Sequence, residues 1–472
     1  MSGPTYDAVV VGSGPNGLAA AVAIARAGRS VLVLEASDTI GGGSRSAPLT
    51  QPGFIHDVCS AIHPLGAASP YLKTLPLDIE WIHPDLCAAH PLDDGSAVTL
   101  SRSVGDTAAS LGEDATRYIK LMGPFVEHAD AVIKGLQSPL LPVPQHPILV
   151  TKFGLRTMES ALTNGKALFH GDRARALISG TAAHAMVPLR TLPAHGVALL
   201  FHLCAHTAGW PMPRRGSQSI PDALAAYLAS LGGKIECGRR VATLRDVPSS
   251  RVVLFDLTPR QIVDICGEDL PAAYRRRLSH FRYGPGVFKI DYALNAPVPW
   301  KASEVGRAGT VHLGGTYEEV AASEWAVTKG RIPERPWVIV AQQSVFDETR
   351  APAGKHTLWT YCHVPSGSDV DMTNAIEDQL ERFAPGFRDT VIERAVRTPK
   401  DFERYNENYI GGDIAGGLSN LRQFFTRPIV KLNPYTTPNP RLFICSSSTP
   451  PGAGVHGMCG YNAAQAALKS LK

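Results

Sequence analysis

Hydrophobic and polar positions follow different rules in different stretches of this chain. Near the start, residues 8–11 are uniformly apolar and read as a strand buried on both faces. Residues 18–27 follow as an Ala-rich, nearly all-apolar helix, and 30–34 as a second buried strand. Residues 66–105 alternate short apolar runs with turn residues, as at 77–82 and 97–100, and predict small strands extending a sheet. From Ser103 to about Thr207 the period becomes helical, over 107–121, 129–136, 173–185 and 194–207, with breaks at Pro139, Pro142, Pro144 and Pro147. This block reads as core or as the lining of an apolar cavity. At Gly216 the pattern reverts: an amphipathic helix over 219–231 closes on Gly232 and Gly233, and strands are expected at 234–237, 240–244 and 251–256.

The remainder is sheet-rich. Over 286–294 the alternation puts Phe288, Ile290, Tyr292 and Leu294 on one face, with Lys289 and Asp291 on the other. Further strands are expected at 337–345 and 357–364, with a helix over 374–383 across one face. A glycine-dense loop, 409–417, leads to a buried strand at 441–445, a loop through Gly457 and a closing Ala-rich helix over 458–471. The pattern predicts an α/β fold in which a dinucleotide-binding domain is interleaved with a mixed α+β substrate domain. Its first part spans 1–105, its second 215–270 and its third 401–472. A helical cap region, 106–214, and a sheet-containing substrate region, 271–400, lie between them.

The glycines at the first turn add chemistry. Gly12, Gly14 and Gly17 have the spacing of a pyrophosphate-binding turn between strand and helix, and Glu35 stands where a carboxylate accepts from ribose hydroxyls. The helix N-terminus favours phosphate charge. Gly41, Gly42 and Gly43 let the backbone pass close to the same phosphates or form a plain loop. Gly452, Gly454 and Gly457 repeat the spacing, but the residues after Gly457 suffice for one helix and lack the returning strand and acid of a second site. One complete unit plus a terminal loop, whose helix end would favour a reduced flavin's negative charge, describes FAD better than NAD. Cys459 at that helix start reads as packing.

Composition excludes several classes. Of 472 residues, 44% are hydrophobic and 19% charged, and the net charge of +4 is too small and scattered to indicate nucleic acid. The eight cysteines include no C-x-x-C pair, which argues against a zinc site, a dithiol centre or a disulfide framework. The histidines at 56 and 63 match no metal-ligand spacing and read as structural. With a strand starting by residue 6 or 7 and no long apolar run, a cytoplasmic protein is expected, with room for peripheral membrane contact.

The first turn, Gly42-Gly43, and the closing segment 448–464 (Ser-Thr-Pro-Pro-Gly-Ala-Gly-Val-His-Gly-Met-Cys-Gly-Tyr-Asn-Ala-Ala) resemble the phytoene desaturase-like flavoproteins of the amine oxidase superfamily. That family includes carotenoid desaturases, carotenoid isomerases and retinol saturase. The resemblance implies a glutathione-reductase-type FAD domain, non-covalent FAD and a mostly apolar substrate cavity. The cofactor set it implies is Gly12, Ser13, Gly14, Pro15, Asn16, Gly17, Glu35, Ala36, Gly42, Gly43, Ser44, Val241, Ser447, Gly454, Val455 and His456, with the backbone of Val241 meeting the adenine. The 286–300 stretch resembles the strand whose lysine holds a water near flavin N5, which makes Lys289 the leading catalytic candidate, followed by His456, Tyr409 and Asp413. Two departures stand out: the usual arginine after the paired glycines is displaced to Arg45, and the usual acid after the last strand is replaced by Ser446 to Ser448. The expected activity is hydride transfer between a C–C bond of a lipophilic, isoprenoid- or polyene-like molecule and FAD, with oxygen, a quinone or a protein as electron acceptor. Amine oxidation, with Tyr461 and Tyr435 contributing to an aromatic cage, is the first alternative. A flavin-dependent isomerase or a partner-binding flavoprotein is the second.

Overall fold

The structure, a computed structural model, describes residues 5–138, 146–163 and 165–472. The expected breaks at Pro139, Pro142 and Pro144 lie outside the described residues. Five parallel strands form the first sheet, in the order Leu442–Ile444, Ser250–Phe255, Tyr6–Val11, Val31–Leu34 and Lys234–Glu236. The central strand is apolar from Ala8 to Val11 and pairs on both sides, so Val9 and Val10 are fully buried. The helix Pro15–Arg26 follows its strand with Pro at the first turn, where the missing N–H costs nothing. Its small residues allow close approach of the last helix, Met458–Ser470: a Cβ on Gly460 would collide with the Asn16 carbonyl. The helix Ser219–Ser230 joins the same core through Leu224 and Leu228.

A second sheet of seven strands runs Val391–Arg397, Gly286–Leu294, His356–Val364, Val338–Ala341, Ala308–Leu313, Leu86–Pro91 and Ala97–Leu100. It is antiparallel except where Ala308–Leu313 runs beside Leu86–Pro91. One face packs against the helix Thr373–Phe383, through Phe288, Ile290, Ile376 and Leu380. The other packs against the helical block containing Ala115–Glu127, Asp172–Ala182 and Leu192–Thr207.

Three expectations need correction. The strand at 97–100, expected in the first dinucleotide-domain segment, belongs to the second sheet, where it pairs with Leu86–Pro91. The 240–244 stretch is not a strand: Asp246 Oδ2 accepts from the N–H groups of Ala242 and Thr243, at 2.9 and 2.7 Å, and turns the chain away from the sheet edge. The helix expected over 107–121 is two helices, Val104–Ser110 and Ala115–Glu127, because Gly112 takes a φ of +62°. The buried Asp114 carboxylate then accepts from the His170 and Gly171 N–H groups.

Candidate active site

The carboxyl ends of the first sheet's strands open into a cavity of about 490 Å³ that continues to the helical face of the second sheet. Its dinucleotide half is built from backbone. Gly12 has a φ of +102°, and a Cβ there would sit 3.0 Å from the Asp256 carbonyl oxygen. A Cβ on Gly14 would lie 2.6 Å from Asp256 Oδ2, and one on Gly42 would lie 3.1 Å from Gly14 Cα. Gly17 does not reach the wall; its N–H donates to Asp256 Oδ2 at 2.9 Å, and any Cβ would collide with the Gly12 carbonyl. Asn16 keeps a buried Oδ1 with no partner among the described residues. A turn that only glycine can make, beside a helix N-terminus, fits a dinucleotide phosphate, whereas the unpartnered Asn16 Oδ1 can accept only from a hydroxyl or an N–H.

Glu35 is buried at the tip of its strand. Its Oε2 accepts from Ser13 N–H at 2.9 Å and Ser13 Oγ at 2.6 Å, and its Oε1 accepts from Ser37 N–H at 2.9 Å. Arg45 is on the cavity wall, and its guanidinium already has acceptors. Its guanidinium donates to the Thr39 carbonyl at 2.5 Å and to Glu35 Oε1 at 3.4 Å, so it braces the acid. Ser446 and Ser447 line the cavity, whereas Ser448 is buried and donates to the Gly416 carbonyl at 2.8 Å. Ser13, Pro15, Asn16, Ala36, Gly43, Ser44, Val241, Gly454 and Val455 are also on the wall.

The four catalytic candidates separate. Tyr409 lines the cavity, its hydroxyl against Gly43, and burial holds its phenol well above the usual range. His456 does not line it: Nδ1 accepts from the Met458 N–H at 3.0 Å, so the ring caps the last helix. Burial lowers its pKa to about 4, which keeps it neutral there. Asp413 is likewise off the wall. It accepts from the N–H groups of Gly284, Ala415 and Gly417 at 2.7–2.9 Å and folds the glycine-dense loop onto the second sheet. Lys289 is fully buried and pairs with Asp291. Burial lowers the lysine and raises the acid, which brings both towards their neutral forms. Its Nζ lies 5.6 Å from the centroid of Trp359, a wall residue, so Lys289 stands one side chain behind the cavity.

Sequence reasoning missed Asp256 and, although it offered the 103–207 block as core or the lining of an apolar cavity, it singled out none of the aromatic residues that line the substrate half. His184, Phe201, Trp210, Trp359 and Tyr361 come from four separate segments. Trp359 and Tyr361 are alternate residues of one strand with ring centroids 5.0 Å apart. Their spacing was legible as one strand face, but not what it faces. Tyr461 and Tyr435, expected in an aromatic cage, are elsewhere: Tyr461 stacks on Tyr71 and Tyr435 donates to the Pro450 carbonyl at 3.0 Å.

A family model described as an NAD(P)-binding Rossmann-like domain matches residues 10–75. The mouse pyridine nucleotide-disulfide oxidoreductase domain-containing protein 2 is 26% identical, over 99% of this chain and 94% of its own length. The neurosporene-forming phytoene desaturase of Rhodobacter capsulatus is 24% identical, over 96% and 92%. Among solved structures, an oxidoreductase from Methanosarcina mazei superposes with a TM-score of 0.68 at 18% identity, covering 98% of this chain and 99% of that one. A putrescine oxidase double mutant superposes with 0.63 at 16%, covering 98% of each. These last two show the same fold.

Proposed function

We propose that this phytoene desaturase-like, FAD-dependent oxidoreductase moves hydride between a C–C bond of a lipophilic small molecule and N5 of a non-covalently held FAD. The observation that carries the reading is the continuity of the cavity, which joins the glycine turn to an aromatic chamber in one space. The turn at Gly12 and Gly14 and the N-terminus of the Pro15–Arg26 helix would hold the pyrophosphate. Glu35 would accept from a ribose hydroxyl once the Ser13 hydroxyl rotates away, since both of its oxygens are now occupied. Gly454 and Val455 would meet the ring system from one side. Trp359, Tyr361 and Phe201 would orient an unsaturated apolar molecule and exclude water from it.

Non-covalent binding is supported by Cys459, whose buried thiol reaches the Thr449 and Gly452 carbonyls at 3.4 Å and is pushed up to about 12 by burial. Such a thiol is a poor nucleophile. A neutral substrate is favoured over an amine for a specific reason. Among the described wall residues the carboxylates are Glu35, Asp256 and Glu407, all in the dinucleotide half, so an ammonium in the aromatic chamber would meet ring faces but no counter-ion.

The test is the visible spectrum of the purified protein under anaerobic titration. A flavin band bleached by a lipid extract, and restored by oxygen, a quinone or an acceptor protein, is the expected result. Bleaching by a panel of amines alone would reverse the substrate assignment. A band unmoved by either would favour isomerase or partner-binding roles, and absence of a flavin band would end the proposal.

A further inference from the structure

Among the described residues two imidazoles are on the cavity wall: His63, whose Nε2 lies 2.8 Å from Ser217 Oγ, and His184, which stands among the aromatic residues. Phe201, Trp210, Trp337 and His312 surround its ring, with centroids 4.9–5.9 Å away and near-perpendicular planes. Its Nε2 lies 2.8 Å from Nε2 of His312, so one ring donates to the other. The direction of that bond decides what His184 shows the cavity, and His312 settles it. The Nδ1 of His312 is buried and has no partner among the described residues. A Cβ built on Gly180 would meet it at 2.9 Å, so this nitrogen faces glycine Cα rather than any acceptor. A buried N–H without an acceptor is rarer and costlier than a bare lone pair. The proton of neutral His312 therefore sits on Nε2 and points at His184.

The neighbouring His90 obeys the same rule. Its Nε2 lies 2.7 Å from the Gly315 carbonyl and must carry the proton, which leaves its Nδ1 bare against the same face of Gly180. With Nε2 of His184 accepting, the remaining proton of His184 is on Nδ1, which has no protein partner among the described residues. The groups facing the pair are other histidines: His363 towards His184, and His90 and His202 towards His312. Burial lowers His184 to about 3, so the ring is neutral at every pH of interest.

We infer that His184 is a specificity-determining residue that offers one neutral, fixed N–H to the substrate. The molecule of the proposed reaction is then a planar, unsaturated, uncharged compound carrying an acceptor oxygen, with a conjugated carbonyl as the best match. This rests on the function proposed above for the location of the substrate, but its test does not require turnover. Aromatic walls alone would accept a hydrocarbon as readily as a ketone. One buried N–H would not, because a hydrocarbon leaves it unpaired.

The experiment compares two probes of one shape, benzylideneacetone and its isostere in which C=CH₂ replaces C=O. Binding to the holoprotein is read by quenching of tryptophan fluorescence. The ketone is expected to bind about five- to tenfold more tightly, as one neutral hydrogen bond allows. His184→Leu should bring the ratio to about one while affinity for the isostere is kept, and His184→Gln, which retains an N–H, should preserve part of it. The wild-type ratio should be flat between pH 5.5 and 8.5. A ratio near one in the wild type, a ratio that survives in a flavin-bound His184→Leu protein, or a step near the ordinary imidazole pKa would each overturn the assignment. If the ratio behaves as expected while no substrate ever bleaches the flavin, hydride transfer fails and His184 stands.

Discussion

At the scale of single residues, the unexpected group is Asp256. It ends the Ser250–Phe255 strand and contacts three glycines that lie about 240 positions earlier in the chain. No spacing rule reaches across that separation, so the glycines were legible and their carboxyl neighbour was not. Burial raises Asp256 to about 7, partly opposed by the Gly17 N–H and reinforced by Glu35. A carboxyl with a raised folded pKa binds its proton more tightly in the folded state. Its contribution to stability is therefore intact below the unfolded pKa and declines as pH rises from about 4 to about 7. Asp256→Asn should abolish that decline and make the apoprotein more resistant to urea at pH 8, by on the order of 2–4 kcal/mol. Parallel pH profiles of the two midpoints would show the raised pKa to be absent. Lys289 makes a second case. Alternation put it opposite Phe288, which is where it lies, but alternation could not show that both faces of the sheet are covered. Lys289→Met should cost about 3–5 kcal/mol by leaving Asp291 unpaired, and the double change Lys289→Met, Asp291→Leu should recover most of it. If Lys289 positions the site through Trp359, the restored double variant will still reduce its flavin more slowly than wild type. Equal rates would remove Lys289 from the mechanism.

At the scale of elements, most helices and strands were legible because their periods are clean, and two of the failures have local causes. A side chain bonding its own backbone decided the chain's course at Asp246, and a left-handed glycine did so at Gly112; neither leaves a trace in hydrophobic periodicity. The Asp172–Ala182 helix shows the converse, where local propensity and packing disagree. Gly180 lies in its interior, where alanine would ordinarily gain about 1 kcal/mol. A Cβ there would meet His90 and His312 at 2.8 and 2.9 Å. Gly180→Ala should therefore destabilise by about 1–3 kcal/mol, with the thermal midpoint as the measure. Because the displaced ring is the one that sets the proton on His184, the variant should also lose part of its preference for ketone over isostere. A stabilised variant with an unchanged preference would mean that the two imidazoles have room to move.

At the scale of the molecule, interleaving was legible from the return of strand and helix texture after Gly216, but the device that locks the two sheets together was not. Asp57, in the short strand His56–Asp57 that pairs with Ser46–Ala47 after the glycine motif, accepts from the Ser217 N–H at 2.7 Å, from Ser46 Oγ at 2.7 Å and from Arg350 Nη2 at 2.9 Å. Arg350 is fully buried and also donates from Nε to Asp347 at 3.0 Å. The cluster thus joins the segment after the glycine motif, the start of the Ser219–Ser230 helix and the turn at 347–350 that leads into the His356–Val364 strand of the second sheet. Burial by itself would raise Asp57, yet Arg350 and the surrounding donors hold it below the usual carboxylate range. A depressed carboxylate contributes stability above its unfolded pKa and loses it as pH falls through the folded value, so the cluster is intact at neutral pH and fails only in acid. Arg350→Met keeps the volume and removes the charge, which leaves the Asp57 and Asp347 carboxylates buried without their counter-charge. At pH 8 this should cost about 3–5 kcal/mol. The loss should shrink towards pH 5 as the freed carboxyls take up protons, the reverse of the wild-type trend. Because the cluster sits between the cofactor loop and the substrate sheet, the same variant should release flavin before it loses secondary structure on heating, with flavin fluorescence rising ahead of the far-ultraviolet dichroism change. Coincident transitions would show that the two sheets unfold as one body without this ion cluster.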